Sequence, residues 1–189
     1  ALYFLRNHIS FQDETAIVKA LNNIKLHFEY NSNTLKSDMF LNGENVELLI
    51  REMQVSSKVS EVAAIAAVRD FAVAQQQAMG QQKGIVMDGR DIGTVVFPNA
   101  ELKIFVTAQP EIRANRRYLE LQATDPSITM EAVAENLQHR DHIDSTREHS
   151  PLKQAEDAQV LDNSNMDRAA QFEIAFNWAK ESIDKLKSL

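Results

Sequence analysis

Apolar positions change their period several times along the chain, and each change predicts an element. Ala16, Ile17, Ala20 and Leu21 recur at helical spacing, which predicts a helix over residues 13–22 after the tail of another over residues 1–9. Ile24, Leu26, Phe28 and Tyr30 then alternate with Lys25, His27 and Glu29, the pattern of a half-buried strand. Asn31-Ser32-Asn33 reads as a turn, and Asn42-Gly43 after Met39-Phe40-Leu41 signals a tight hairpin. Residues 24–46 are therefore expected to form a small antiparallel unit that interrupts a larger alternation of strands and helices. A helical pattern follows over residues 47–52, and a longer one over residues 58–77. In the longer run Val62, Ile65, Ala66, Arg69 and Val73 share one side, with Arg69 at the margin of a buried face. On one continuous helix Ser60 and Arg69 would stand about 14 Å apart along the axis.

The apolar run at Gly84-Ile85-Val86-Met87 ends in Asp88-Gly89-Arg90-Asp91, which predicts a buried strand delivering charged side chains to its carboxyl edge. Leu102–Thr107 is expected to be a second core strand. Pro110 is placed to open a helix, and residues 129–139 read as the next one. Gln159–Asp162 reads as a last short strand. Phe172, Phe176, Ala179, Ile183 and Leu186 recur at helical intervals in a closing helix over residues 167–186. The resulting fold class is α/β, a parallel sheet core flanked by helices with a small antiparallel insertion.

Composition narrows the functional classes. With 189 residues and 44% hydrophobic content the chain can bury one substantial core. A formal net charge of −7 argues against a nucleic-acid polymer as partner, because no broad basic field exists to gather its phosphates, although a few arginines can hold a single nucleotide. Cysteine is absent, which excludes disulfides and thiolate metal sites. With no signal-like or membrane-spanning stretch, the expected location is the cytoplasm.

Two charged clusters carry candidate chemistry. Arg90 is a planar donor fork suited to phosphate, and Asp91 beside it is an acceptor for a base amino group or a brace for the arginine. If residues 140–147 stay helical, Arg140, Asp144 and Arg147 share a face. Two arginines could then clamp a phosphate while the carboxylate accepts from a sugar hydroxyl, or the three could form a surface salt-bridge ladder. Arg113, Arg116 and Arg117 gather on one helix face, as a solvated face or as a phosphate-covering lid. His139, His142 and His149 show no compact ligand spacing, so no metal site is expected.

Gly89-Arg90-Asp91-Ile92-Gly93-Thr94-Val95-Val96-Phe97-Pro98 closely resembles the bacterial cytidylate kinases. The likeness extends over almost the whole chain. It takes in Ile50-Arg51 through Ser60 to Val68-Arg69, Lys103-Ile104-Phe105, Arg113 through Arg117, Arg140, Asp144 and Arg147, and Val160-Leu161-Asp162, all in the same order. The resemblance implies a P-loop kinase that moves the γ-phosphoryl of ATP to CMP or dCMP with magnesium. It implies a core over residues 1–23 and 47–108 completed by 149–189, an NMP-binding insertion over 24–46, and a lid with flanking helices over 109–148. By the same resemblance Ser60, Arg69 and Asp91 match cytosine-recognising positions, Asp144 the sugar contact with Arg140 beside it, and Arg90 and Arg147 phosphate-side contacts. Arg51 helps organise the acceptor site, and Arg113, Arg116 and Arg117 are lid arginines near the ATP phosphates. The expected state is a monomer. The nearest alternatives are a UMP/CMP-type kinase and a nonenzymatic nucleotide-binding pseudokinase.

One departure from the family pattern is plain. No GxxxxGK(S/T) motif, the nest and lysine that cradle ATP phosphates, occurs in the 189 residues. The resemblance places that motif, and a first strand beside residues 84–88, before Ala1. Further N-terminal sequence, in the same chain or supplied by a separate fragment, is accordingly expected, and the 189 residues alone are expected to be catalytically deficient.

Overall fold

The structure, a computed structural model, describes residues 1–188. The helices α1 (Leu2–Arg6) and α2 (Glu14–Leu21) lead into strands β1 (Leu26–Asn31), β2 (Lys36–Leu41) and β3 (Glu44–Asn45). A 3-10 turn at Leu49–Arg51 precedes α3 (Met53–Ala64) and α4 (Ala66–Gly80). After a π-helical turn at Ile92–Val96 come β4 (Ile104–Thr107), α5 (Pro110–Gln122), α6 (Met130–Thr146), β5 (Gln159–Asp162) and α7 (Arg168–Lys187). The fold is mixed α/β: an antiparallel sheet in the order β1-β2-β3, and a parallel pair β4-β5 among helices. No helix of the described residues is long and apolar enough to cross a membrane.

The chain divides into two compact units, residues 1–85 with 139–149, and residues 86–138 with 150–189. In the first, the Asp13 carboxylate accepts from the Ala16 N–H at 2.9 Å and starts α2. Ile17, Ala20 and Leu21 then turn inward against Phe4 and Val62, with Ile65, Val68 and Phe71 packed around them. A fully buried Val, Leu, Ile or Phe among them contributes roughly 1.5–3 kcal/mol relative to exposure. The hairpin signal at Asn42-Gly43 forms as expected. Both residues have positive φ, 52° and 84°, the backbone of a type I′ turn, and β2 pairs antiparallel with β3 across it.

The strand expected over 24–30 is present as β1, in register with β2 from Leu26 opposite Leu41 to Asn31 opposite Lys36. It is not half-buried, because Phe28 and Tyr30 are exposed and burial is confined to the end of the sheet where Leu41 and Val46 lie. The long helix expected over 58–77 is two helices. Ile65 takes an extended conformation, φ −70° and ψ 121°, and serves as the C-cap of α3 and the N-cap of α4. The axial spacing expected for Ser60 and Arg69 on a continuous helix therefore does not apply.

The strand expected at 84–88 is absent. Val86 is fully exposed, Lys83 and Gly84 both have positive φ, and among the described residues no strand pairs with this segment. An extended segment becomes a sheet strand only where a neighbour takes up its N–H and C=O groups. The parallel pair is formed by β4 and β5, from Ile104 opposite Gln159 to Thr107 opposite Asp162. Pro110 occupies the first turn of α5, and Asp167 caps α7 by accepting from Ala170 N–H at 2.8 Å. The apolar series of α7 is not buried: Phe172, Phe176, Ile183 and Leu186 are all half or more exposed, and Phe172 and Phe176 stack on each other instead.

Candidate active site

In the first unit the chemistry rests on α3, α4 and the last turns of α6. Ser60 lies on the inner side of α3 at 1% exposure, and its Oγ has no hydrogen-bond partner. A buried hydroxyl left in that state costs about 1–3 kcal/mol relative to a satisfied one. Arg69, in the first turn of α4, is buried as well and donates from Nη2 to Gln76 Oε1 at 3.1 Å. A guanidinium that simply snorkelled would leave its head in water. The margin-of-core placement is the one found.

The helix that the second cluster required does form, since α6 runs to Thr146 and the Arg147 N–H still donates to Ile143 C=O at 2.9 Å. Asp144 and Arg147 are buried together, with Arg147 Nη1 3.6 Å from Asp144 Oδ1. The exposed salt-bridge ladder is thereby excluded for this pair. Arg140, one turn earlier and half-buried, donates from Nη1 to Ser56 Oγ at 3.1 Å. Ser56 is buried one turn before Ser60 on α3, and sequence reading passed it over, although the four-residue spacing of the two serines was a visible signal.

Arg51 is exposed at the end of the 3-10 turn and pairs with Glu47, whose Oε1 accepts from the arginine Nε at 3.0 Å and also from Nη2. Glu47 Oε2 accepts from the Met39 N–H at 3.1 Å, so one carboxylate ties the arginine to the edge of β2. Glu47 too was missed by sequence reasoning. Its signal was only an i, i+4 spacing, which surface pairs also show. On the outer side of α3, Glu61 pairs with Lys58 at 3.1 Å and lies 3.7 Å from His139 Nε2.

In the second unit the charged loop is shaped by its backbone. The Asp91 C=O accepts from Val95 N–H at 2.9 Å and from Thr94 and Val96 N–H at 3.3 Å, winding Ile92–Val96 into the π-helical turn. Such widened turns are frequent at functional positions. A Cβ at Gly89 would stand 2.9 Å from Ile92 Cγ1, so a side chain there would force the Ile92 side chain to shift. The Asp91 carboxylate is buried, Arg90 is half-buried and Asp88 is exposed. Lys103 fixes the far end of the loop by donating from Nζ to the Pro98 C=O and to both oxygens of Asp157 at 2.9 Å. The lysine holds the Asp157 carboxyl below the usual carboxylate range, chiefly through that hydrogen bond.

The three arginines of α5 are not equivalent. Arg116 donates from Nη1 to Asn163 Oδ1 and from Nη2 to Asn163 C=O, both at 2.8 Å, and reaches the Met166 C=O at 3.3 Å. It stitches α5 to the loop after β5. Arg117 pairs with Glu120 on its own helix at 2.8 Å, and Arg113 is half-buried. Ser164 strengthens the same junction: its Oγ accepts from the Gln109 N–H at 2.9 Å and donates to Asp162 Oδ1 at 2.6 Å. That bond and one from the Ser164 N–H hold the Asp162 carboxyl below its ordinary range. Among the described residues no group of three or more His, Asp or Glu side chains gathers as a metal cage.

Comparison with known proteins gives a concordant result. A family model described as Cytidylate kinase matches residues 1–181. A relative named Cytidylate kinase from Bacteroides thetaiotaomicron is 51% identical over 188 residues, which is 98% of this chain and 80% of that protein. A Cytidylate kinase from Bacteroides fragilis is 53% identical over 175 residues, 91% of this chain and 76% of the relative. One from Parabacteroides distasonis is 57% identical over 153 residues, 81% of this chain and 67% of the relative.

Proposed function

Because the chain belongs to the cytidylate kinase family, we propose that its reaction is transfer of the γ-phosphoryl group of ATP to CMP or dCMP, giving ADP and CDP or dCDP. The observation that carries the residue assignments is Ser60: a fully buried hydroxyl with no protein partner, held on a rigid helix, is a group kept for a ligand. In this reading Ser60 and Arg69 address the cytosine, and Asp91 accepts from its amino group. Asp144 accepts from the sugar hydroxyl. Arg51 organises the acceptor side, with residues 24–46 as the NMP-binding insertion.

The chemistry is positioning and charge neutralisation. The acceptor phosphate already carries a nucleophilic oxygen, so no general base is needed. The work lies in holding two polyanions in line and spreading the charge of the transferring group. Arg90, Arg140 and Arg147 take that role. The buried Asp144 orients Arg147 and keeps it from collapsing onto other acceptors. Residues 109–148 supply the lid and its flanking helices, with Arg113, Arg116 and Arg117 on the ATP-phosphate side. Arg116 would first have to leave Asn163. Lid closure excludes water, which would otherwise take the phosphoryl group. Magnesium, bound together with ATP, would supply neutralisation of the charge on its phosphates. The protein works as a cytoplasmic monomer on free nucleotides.

The test is ADP formation by the natural full-length protein from Mg-ATP, with and without CMP or dCMP. Turnover that depends on the cytidine nucleotide supports the reading. Tight CMP binding without turnover would favour the pseudokinase instead.

A further inference from the structure

The contact between Arg140 and Ser56 has no part in the assignments above, yet it links two elements that carry them. Arg140 belongs to the last turns of α6 and Ser56 to α3, and Arg140 Nη1 donates to Ser56 Oγ at 3.1 Å. Ser56 is only 4% exposed, so its hydroxyl faces the protein interior rather than competing water. Ser56 and Ser60 are four residues apart on α3 and so present on one face of it. The same stretch of helix therefore offers one hydroxyl with no partner, at Ser60, and one that holds an arginine, at Ser56.

We propose that Ser56 is a positioning residue for phosphoryl transfer, fixing the guanidinium of Arg140 against α3. An arginine side chain loses rotamer freedom when it is held in one geometry. Where a protein acceptor holds it before substrate arrives, that loss falls in the folding step and not in the catalytic one. Arg140 is half-buried and Asp144 stands one turn beyond it, so a swing of the guanidinium away from α3 would move its charge relative to the buried Asp144–Arg147 pair. A serine hydroxyl suits the task because it accepts from the guanidinium without carrying charge. An acid at this position would neutralise the arginine that the phosphates need.

This proposal rests on the assignment of Arg140 to phosphoryl transfer. The experiment is a double-mutant cycle in the full-length enzyme with Ser56→Ala, Arg140→Ala and the pair, read as kcat and KM for CMP alongside thermal midpoint. Ser56→Ala is expected to lower kcat by about tenfold, the scale of one hydrogen bond to a charged group, with KM for CMP within about twofold. In the Arg140→Ala background the same change is expected to do nothing further to kcat. Ser56→Thr, which keeps the hydroxyl, should recover most of the rate, and Ser56→Cys, a weaker acceptor, should fall between wild type and Ser56→Ala. Equal loss from Ser56→Ala in both backgrounds, or a loss tracking only the thermal midpoint, would overturn the positioning role. Should Arg140→Ala alone leave turnover intact, the assignment of Arg140 falls and Ser56 with it. An impaired Arg140→Ala beside a fully active Ser56→Ala removes Ser56 alone.

Discussion

Asp144 and Arg147 lie one helical turn apart with their carboxylate and guanidinium 3.6 Å from each other, and both side chains are almost wholly removed from solvent. A pair so buried is poorly explained by stability alone, since its desolvation offsets most of its attraction. It makes sense as a charge arrangement kept ready for a ligand. Arg147→Ala takes one charged partner from a buried carboxylate and should cost up to about 3–5 kcal/mol of folding stability besides the loss of phosphate-dependent transfer. Arg147→Lys keeps the charge but loses the fork, and should retain most of the stability while turnover falls about tenfold or more. Denaturant midpoints and kcat on the two variants check this, and a lysine variant with wild-type turnover and CMP affinity would remove Arg147 from the phosphate site.

Ser60→Ala separates a ligand-facing hydroxyl from a structural one. Because its Oγ has no hydrogen-bond partner, its removal should leave the substrate-free protein equally stable or slightly more so. CMP affinity should fall by about tenfold at the same time. Calorimetric titration with CMP and a thermal melt suffice. Lowered stability with unchanged CMP binding would show that the serine serves the fold.

Asp91→Ala should weaken CMP binding by about 10–100-fold and ATP binding hardly at all. The backbone that shapes the π-helical turn is untouched by this change, since the turn is held by the Asp91 C=O. Equal losses for both nucleotides in a folded variant would reject the assignment to cytosine.

The Lys103–Asp157 bond predicts a dependence on acid. The folded-state pKa of Asp157 is depressed, so its contribution to stability is present above the ordinary carboxylate value and is lost as pH falls through the lowered folded value. Asp162 behaves alike through Ser164. Asp157→Asn should flatten the acid side of the curve of thermal midpoint against pH, measured from about pH 5 downward. A curve parallel to wild type would show that the bond contributes nothing in solution.

The elements most legible in the sequence were those with local causes. Asn42-Gly43 dictates its turn by tolerance of positive φ, and Pro110 marks the first turn of a helix. The stretch at 84–88 was read as a strand from its apolar run, but a strand also needs a partner for its backbone, which no local pattern reports. The break at Ile65 is similar in kind, because neither glycine nor proline marks it and only the extended backbone of one isoleucine separates α3 from α4. At the site, the shared face of Arg140, Asp144 and Arg147 was legible only on the condition that residues 140–147 stay helical, a condition that α6 meets by running to Thr146. The partners Ser56 and Glu47 were not, since what selects them is contact across elements far apart in sequence. Arg116 shows the same limit: its spacing placed it on a charged helix face, while its engagement of Asn163 depends on the loop after β5.

The most direct measurement of the central claim is the ratio of kcat/KM for CMP to that for UMP, taken with Mg-ATP on the natural full-length protein and on its Asp91→Ala variant. Cytosine offers an amino donor where uracil offers a carbonyl acceptor, which a buried carboxylate should repel. The account predicts a preference for CMP of at least about tenfold in the wild type that collapses toward unity in the variant. A wild type that uses both acceptors equally, or a preference that survives loss of Asp91, would contradict it.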